Sequence, residues 1–327
     1  MKYILTSLLS LFLFTACSGK KYYEPKDVSS NIELNKESMS SSITSMNKIG
    51  ATLENKKIIT KNGISEFKLP KGFDFINTTE DGKVIATNYI DKILIGNEEK
   101  IVKEVVVAAS LKNGKLALVY SNNTIELLDA NTLKTLFKEY LPLSLANDTR
   151  ISNPYFMGNL ILFPTLNGKV IIVSALNNES VKNISVDPDN EFNNIISLNV
   201  IESTQTLIVA SPNKIVSISP KEILSKDYDI RDIIVNQEHV YVATIDGQII
   251  KLTGNLEEVS KKKFKYAKIH ALAFTDSLYA VESQGYLINI KDDFTEDIVY
   301  KFSFDNNDRM IAIGNRVYFD SRYITLP

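Results

Sequence analysis

Few side chains in this chain have the type and spacing to do chemistry. The densest polar run is Asp187-Pro188-Asp189-Asn190-Glu191, with Asn193 and Asn194 just beyond it. Alternating oxygen ligands can hold calcium, which makes Asp187, Asp189 and Glu191 the candidate metal ligands. The sixth position is Phe192, however, where a loop of the EF-hand type needs glycine for its turn. A solvated loop accounts for the run more simply, and Asp305-Asn306-Asn307-Asp308 has the same character. His239 and His270 are the only histidines, and each sits in or beside an apolar run. Two such imidazoles are packing residues unless further ligands join them. No glycine-rich phosphate loop, Gly-x-Ser-x-Gly or His-Glu-x-x-His occurs, so neither a catalytic set nor a cofactor site is expected. Tyr22 and Tyr23 stand side by side in a polar stretch and are candidates for docking a neighbour, or simply sticky residues near lipid headgroups. Cys17 is the only cysteine and has no intramolecular disulfide partner.

The surroundings of Cys17 give it another use. A short positive end, Met1-Lys2, precedes an apolar run over residues 4–16 that is too short for a membrane span, which needs about 20 helical residues. Small residues follow, as at a signal-peptide cleavage site, so residues 1–16 are read as a signal peptide. Phe14-Thr15-Ala16-Cys17 resembles the lipobox of bacterial lipoproteins, with phenylalanine where leucine is usual. That resemblance implies cleavage before Cys17, diacylation of its sulfur and further acylation of the new amino terminus. Each buried methylene contributes roughly 0.8 kcal/mol, so two or three acyl chains hold firmly. Ser18 stands where an aspartate would resemble the inner-membrane retention signal. Sorting to the outer membrane is therefore expected; its periplasmic face is the expected side, although no residue here specifies it.

Composition excludes other classes. Against 37 basic side chains stand 39 acidic ones, and no basic tract occurs, so nucleic acid is not an expected partner. Hydrophobic residues make up 44% of the chain, ample for a large domain. Residues 17–54 are polar and lack sustained alternation. They read as a lipidated, flexible tether with an r.m.s. span of roughly 30 Å, within which residues 43–49 could form a short helix or bind a partner.

From residue 55 to 327 the text becomes short apolar runs that pair across Asn, Asp and Gly breaks. Leu160-Ile161-Leu162-Phe163 and Val170-Ile171-Ile172-Val173 flank Asn167-Gly168, and Val240-Tyr241-Val242-Ala243 and Ile249-Ile250-Lys251-Leu252 flank Asp246-Gly247. Branched and aromatic residues around such breaks mark β-hairpins. Seven hairpins follow one another, each preceded by a further strand-like run, at about 39 residues per unit, the period of four-stranded propeller blades. The fold class read from this is all-β: a β-propeller of four-stranded blades, seven by count with six and eight as alternatives. The last unit lacks an outermost strand before Pro327, so an N-terminal strand, residues 57–60 or 64–69, is expected to close the ring and remove open sheet edges.

The runs Thr124-Ile125-Glu126-Leu127-Leu128-Asp129-Ala130-Asn131-Thr132 and Gly168-Lys169-Val170-Ile171-Ile172-Val173-Ser174-Ala175-Leu176-Asn177 resemble the repeat of pyrroloquinoline-quinone-type propellers, although the chain has no tryptophan. Together with the lipobox, the pattern resembles the BamB family of propeller lipoproteins. That resemblance implies a non-catalytic scaffold held to the membrane by its lipid anchor and binding envelope proteins, among them the β-barrel assembly machinery. The alternative is a ligand-binding or enzymatic propeller that uses its central channel.

Overall fold

The computed structural model describes residues 21–29, 34–144, 148–188, 193–302, 304 and 309–327. Among these, 32 strands form eight four-stranded antiparallel sheets, and no helix occurs. Seven sheets are read straight along the chain. Blade 1 is Ile43–Asn47, Gly50–Leu53, Lys57–Thr60 and Gly63–Lys68; blade 3 is Val106–Lys112, Lys115–Tyr120, Thr124–Asp129 and Thr135–Tyr140. Blades 2, 4, 5, 6 and 7 start at Asp74, Tyr155, Ser197, Ile230 and Ile269. Blade 8 takes its inner strands Met310–Ile313, Arg316–Phe319 and Arg322–Thr325 from the end of the chain and its outermost strand, Glu37–Ser38, from the beginning.

The second strand of each blade has neighbours over both faces, so it reads as an unbroken apolar run rather than an alternation. Leu116, Ala117, Leu118, Val119 and Tyr120 are all buried, as are Leu278, Tyr279, Ala280 and Val281. Outermost strands face solvent on one side and become polar, as in Glu258–Lys263. Buried side chains gather into eight clusters, and each fills the seam between two adjacent blades. At the seam of blades 7 and 8, for example, Phe302 and Phe319 meet edge to face with ring centroids 5.0 Å apart.

The turn that leads into the outermost strand repeats. Leu133, Leu256 and Phe294 each take positive φ, an uncommon conformation for a side-chain-bearing residue. Each puts that side chain into the seam with the preceding blade, which supplies the burial that offsets the backbone cost. The Asp246-Gly247 hairpin needs its glycine for two reasons: φ is +82°, and a Cβ would stand 2.4 Å from the Phe264 carbonyl oxygen.

The propeller, its four-stranded blades and its closure by an N-terminal strand match the sequence reading; the blade count is eight, not the preferred seven. The extra blade begins in the stretch read as tether, which holds its first two strands. The expected boundary at residue 55 falls inside blade 1, whose Ile43, Ala51 and Leu53 are buried against Tyr318 of blade 8. Residues 43–47 are a strand, not a helix. Consequently the closing strand is Glu37–Ser38, while residues 57–60 and 63–68 complete blade 1.

Candidate functional site

Innermost strands line the central channel, and their polar side chains reach from blade to blade. Asn47 of blade 1 donates to the Ile76 carbonyl of blade 2 at 2.7 Å. Asn77 of blade 2 donates to the Ala109 carbonyl (2.9 Å) and Ser110 hydroxyl (2.8 Å) of blade 3. Ser110 in turn donates to the Pro154 carbonyl at 2.6 Å. Asn153 accepts from the Ala109 N–H at 3.0 Å and donates to the Ile76 carbonyl at 3.2 Å. These links supply between blades what backbone pairing supplies within them.

On the other side of the ring, charged groups do the same work. Asp232 of blade 6 accepts the Leu272 N–H of blade 7 at 2.7 Å, and Lys48, from the first hairpin of blade 1, forms an ion pair with it. Arg150, just ahead of blade 4, pairs with Asp148 and donates to the Arg231 and Ile230 carbonyls of blade 6 at 2.8 and 3.3 Å. Arg231 donates to the Ile269 carbonyl at 3.2 Å, and Arg309 donates to the Ile43 and Thr44 carbonyls of blade 1. Burial raises the Asp148 carboxyl, but the Arg150 guanidinium and N–H more than offset it and leave it below the usual carboxylate range. Burial, with Arg231 and Lys268 nearby, pushes the His270 imidazole below its ordinary value.

Lys48 and Arg150 therefore cross between blades that are not neighbours, and the protein's own side chains lace the channel. At one mouth a cavity of 550 Å³ remains, lined by Asn77, Glu80, Lys112, Asn199 and Glu202 among others. Such a lining offers hydrogen bonds and mixed charge to a polar group. Among the described residues it holds no histidine, cysteine or aspartate, and no cluster of three or more His, Cys, Asp and Glu could hold a metal.

The residues singled out from sequence are dispersed. His239 lies on the second strand of blade 6 and His270 on the innermost strand of blade 7. Asp187 is buried, accepts a hydrogen bond from the Asn193 amide at 2.9 Å and faces Lys214 at 3.8 Å, contacts that hold a loop. Asp189, Glu191 and Cys17 lie outside the described residues. The tyrosine pair divides. Tyr22 is 54% exposed, whereas Tyr23 is buried against Phe264 and Tyr286, so it is a core residue of its own propeller and not free to dock a neighbour. Lys48, Arg150, Asp232 and Arg309 were not singled out; the available signal was a charge directly before an apolar run, as in Arg231-Asp232-Ile233-Ile234-Val235.

No protein-family model matches the chain. It is 26% identical, across 99% of its length and 71% of the relative's, to the plasminogen-binding protein PgbB of Helicobacter pylori strain J99; the PgbB of strain 26695 matches at 26% over 99% of this chain and 70% of that one. Among solved structures, BamB from Moraxella catarrhalis superposes with a TM-score of 0.67 at 11% identity, over 90% of this chain and 99% of that one. The C-terminal WD40 domain of Sif2 superposes with a TM-score of 0.65 at 10% identity, over 89% and 98%. The fold is that of a BamB-like β-propeller.

Proposed function

We propose that this chain is a lipid-anchored propeller whose work is to bind another protein, without catalysis of its own. The observation that carries the reading is the match, over almost the whole chain, to a protein named for binding plasminogen. Two features support it. Among the described residues, Lys48, Arg150 and Asp232 of the channel are engaged in joining blades, a structural use of their charge. A ring of eight sheets also presents many outer edges and loops, surfaces suited to protein contact. Cys17 is the proposed lipidation site and the outer membrane the proposed location, with the periplasmic face as its orientation. Components of β-barrel assembly are the proposed envelope partners.

The test is a mild-detergent pull-down of the mature lipoprotein from its native envelope, run beside direct titration of purified plasminogen. The Cys17→Ala form serves as control, and palmitate labelling reports acylation. A partner recovered in stoichiometric amount, or saturable plasminogen binding, supports the reading. If a folded, acylated protein recovers nothing above background, protein binding is lost as its function and the 550 Å³ mouth becomes the place to look for a ligand.

A further inference from the structure

An anchor attached through a long flexible segment would leave the propeller free to turn. The chain instead packs onto the propeller almost at once. Tyr23, six residues after Cys17, is 7% exposed and meets Phe264 and Tyr286 edge-on, with centroids 6.1 and 5.7 Å away. From there the chain follows a groove beside the outermost strands of blades 6 and 7, and the Ser29 N–H donates to the Val299 carbonyl at 2.8 Å. A chain spans at most about 3.6 Å per residue, so Cys17 cannot lie farther than roughly 22 Å from the buried Tyr23. Lipid on Cys17 would hold this edge at the bilayer.

The same edge carries an interfacial set of side chains. Tyr22, Val28, Val259, Tyr266 and Ile298 are all exposed large hydrophobics. Lys21, Lys26 and Lys265 are exposed and form no ion pair among the described residues, whereas Lys261, Lys262 and Lys263 beside them pair with Glu258, Asp297 and Asp246. The Lys21 and Lys265 ammonium groups stand over the Tyr266 ring at 5.6 and 5.1 Å from its centroid. Aromatic rings with a polar tip and lysines outside any ion pair among the described residues suit the headgroup layer of a membrane, where the stem is buried and the charge stays wet.

We propose that the edge formed by blades 6 and 7 is the membrane-facing surface of the protein, seated against anionic headgroups through Lys21, Lys26 and Lys265. This rests on lipidation of Cys17. The opposite edge, around blades 2 and 3, and both mouths of the channel are left open to partners.

The acylated full chain, in vesicles of phosphatidylglycerol and phosphatidylethanolamine, tests it. Since Cys17 is the only native cysteine and is blocked by acylation, a fluorophore can be placed through Lys261→Cys on blade 6 or Tyr140→Cys on blade 3. A headgroup-bound quencher should quench the Lys261→Cys label several-fold more than the Tyr140→Cys label. Replacing Lys21, Lys26 and Lys265 together by Ser should shrink that difference, and none of the three packs into the core. Equal quenching at the two positions, or a difference that the triple variant keeps in full, overturns the inference. Intact mass separates the two readings: a protein without acyl chains sinks the anchor itself, while an acylated protein with equal quenching sinks only this orientation.

Discussion

Blades 3 and 8 are built to the same plan and closed by different means. Blade 3 is one continuous stretch. Its two-residue turn Asn113-Gly114 has positive φ at both positions, the geometry that matches strand twist, and its six-residue outermost strand is paired along most of its length. Blade 8 closes with a two-residue strand from the far end of the chain, paired as Glu37 with Tyr323 and Ser38 with Arg322, and just beyond it the Met39 and Ile43 N–H groups donate to the Ser321 and Asp320 carbonyls at 2.7 and 3.1 Å. Side chains add to this short backbone seam. Met39 and Ile43 join Tyr318 in the seam, Arg309 donates to blade 1, and the Tyr323 hydroxyl donates to the Glu37 carboxylate. Ring closure therefore resides in the seam behind the closing strand more than in the strand itself.

The largest expected effect comes from emptying that seam. Tyr318 is 1% exposed, and Tyr318→Ala should cost about 3–5 kcal/mol, comparable to large-to-small changes in other cores. Leu127→Ala, at the seam of blades 3 and 4, should cost a similar amount, about 2–5 kcal/mol. The two should differ in what comes loose. Hydrogen exchange at Met39 should accelerate in Tyr318→Ala but not in Leu127→Ala; equal acceleration in both would show that closure is not a separable unit.

Next in size are the links across the channel. Asp232→Ala leaves the buried Leu272 N–H without its acceptor and should cost about 1–3 kcal/mol in urea denaturation. Lys48→Ala removes a partner whose side chain is 36% exposed, and the buried Asp232 carboxylate keeps the Ile233 and Leu272 N–H donors, so the cost should be about 1 kcal/mol, smaller than that of Asp232→Ala. A reversed order would mean that the ion pair, rather than the blade-to-blade hydrogen bond, is the useful contact.

The same contrast explains what could be read in advance. Within a blade the signal is local: Val240-Tyr241-Val242-Ala243, Asp246-Gly247 and Ile249-Ile250 announce a hairpin within a dozen residues, and the hairpin is there. Blade 1 has weaker text. Ile43-Thr44-Ser45-Met46-Asn47 is a strand because Ile43 packs across the closing seam, a contact whose other side is Tyr318, far along the chain. No window on residues 43–47 contains that information, so they read as tether. Tyr23 failed for the same reason, its burial being supplied by Phe264 and Tyr286. Channel residues are hidden differently: Asn47, Asn77 and Asp232 serve carbonyls and amides on the next blade, and only knowledge of which strands are innermost reveals it.

A smaller effect belongs to pH. His270, on the innermost strand of blade 7, meets Phe304 edge-on at 6.1 Å and titrates below its usual value because of burial and the nearby Arg231 and Lys268 charges. The unfolded chain then binds a proton that the native protein refuses, so stability falls as pH drops below about 6.5 toward the depressed native value. His270→Gln should flatten that part of the stability curve without changing it above neutrality. An unchanged slope just below about pH 6.5 would remove His270 from the account.

The smallest effect is expected at the closing strand's own surface. Glu37 is exposed, and its carboxylate accepts from the Tyr323 hydroxyl in water, where such contacts are screened and the side chains give up entropy to make them. Glu37→Ala should therefore change stability by no more than about 0.5 kcal/mol, as for ordinary surface positions. Set beside Tyr318→Ala, it decides where closure resides. If Glu37→Ala instead cost as much as the seam substitution, the two backbone pairs at Glu37 and Ser38 would depend on that contact for their register, and the closing strand would be holding the seam rather than the reverse.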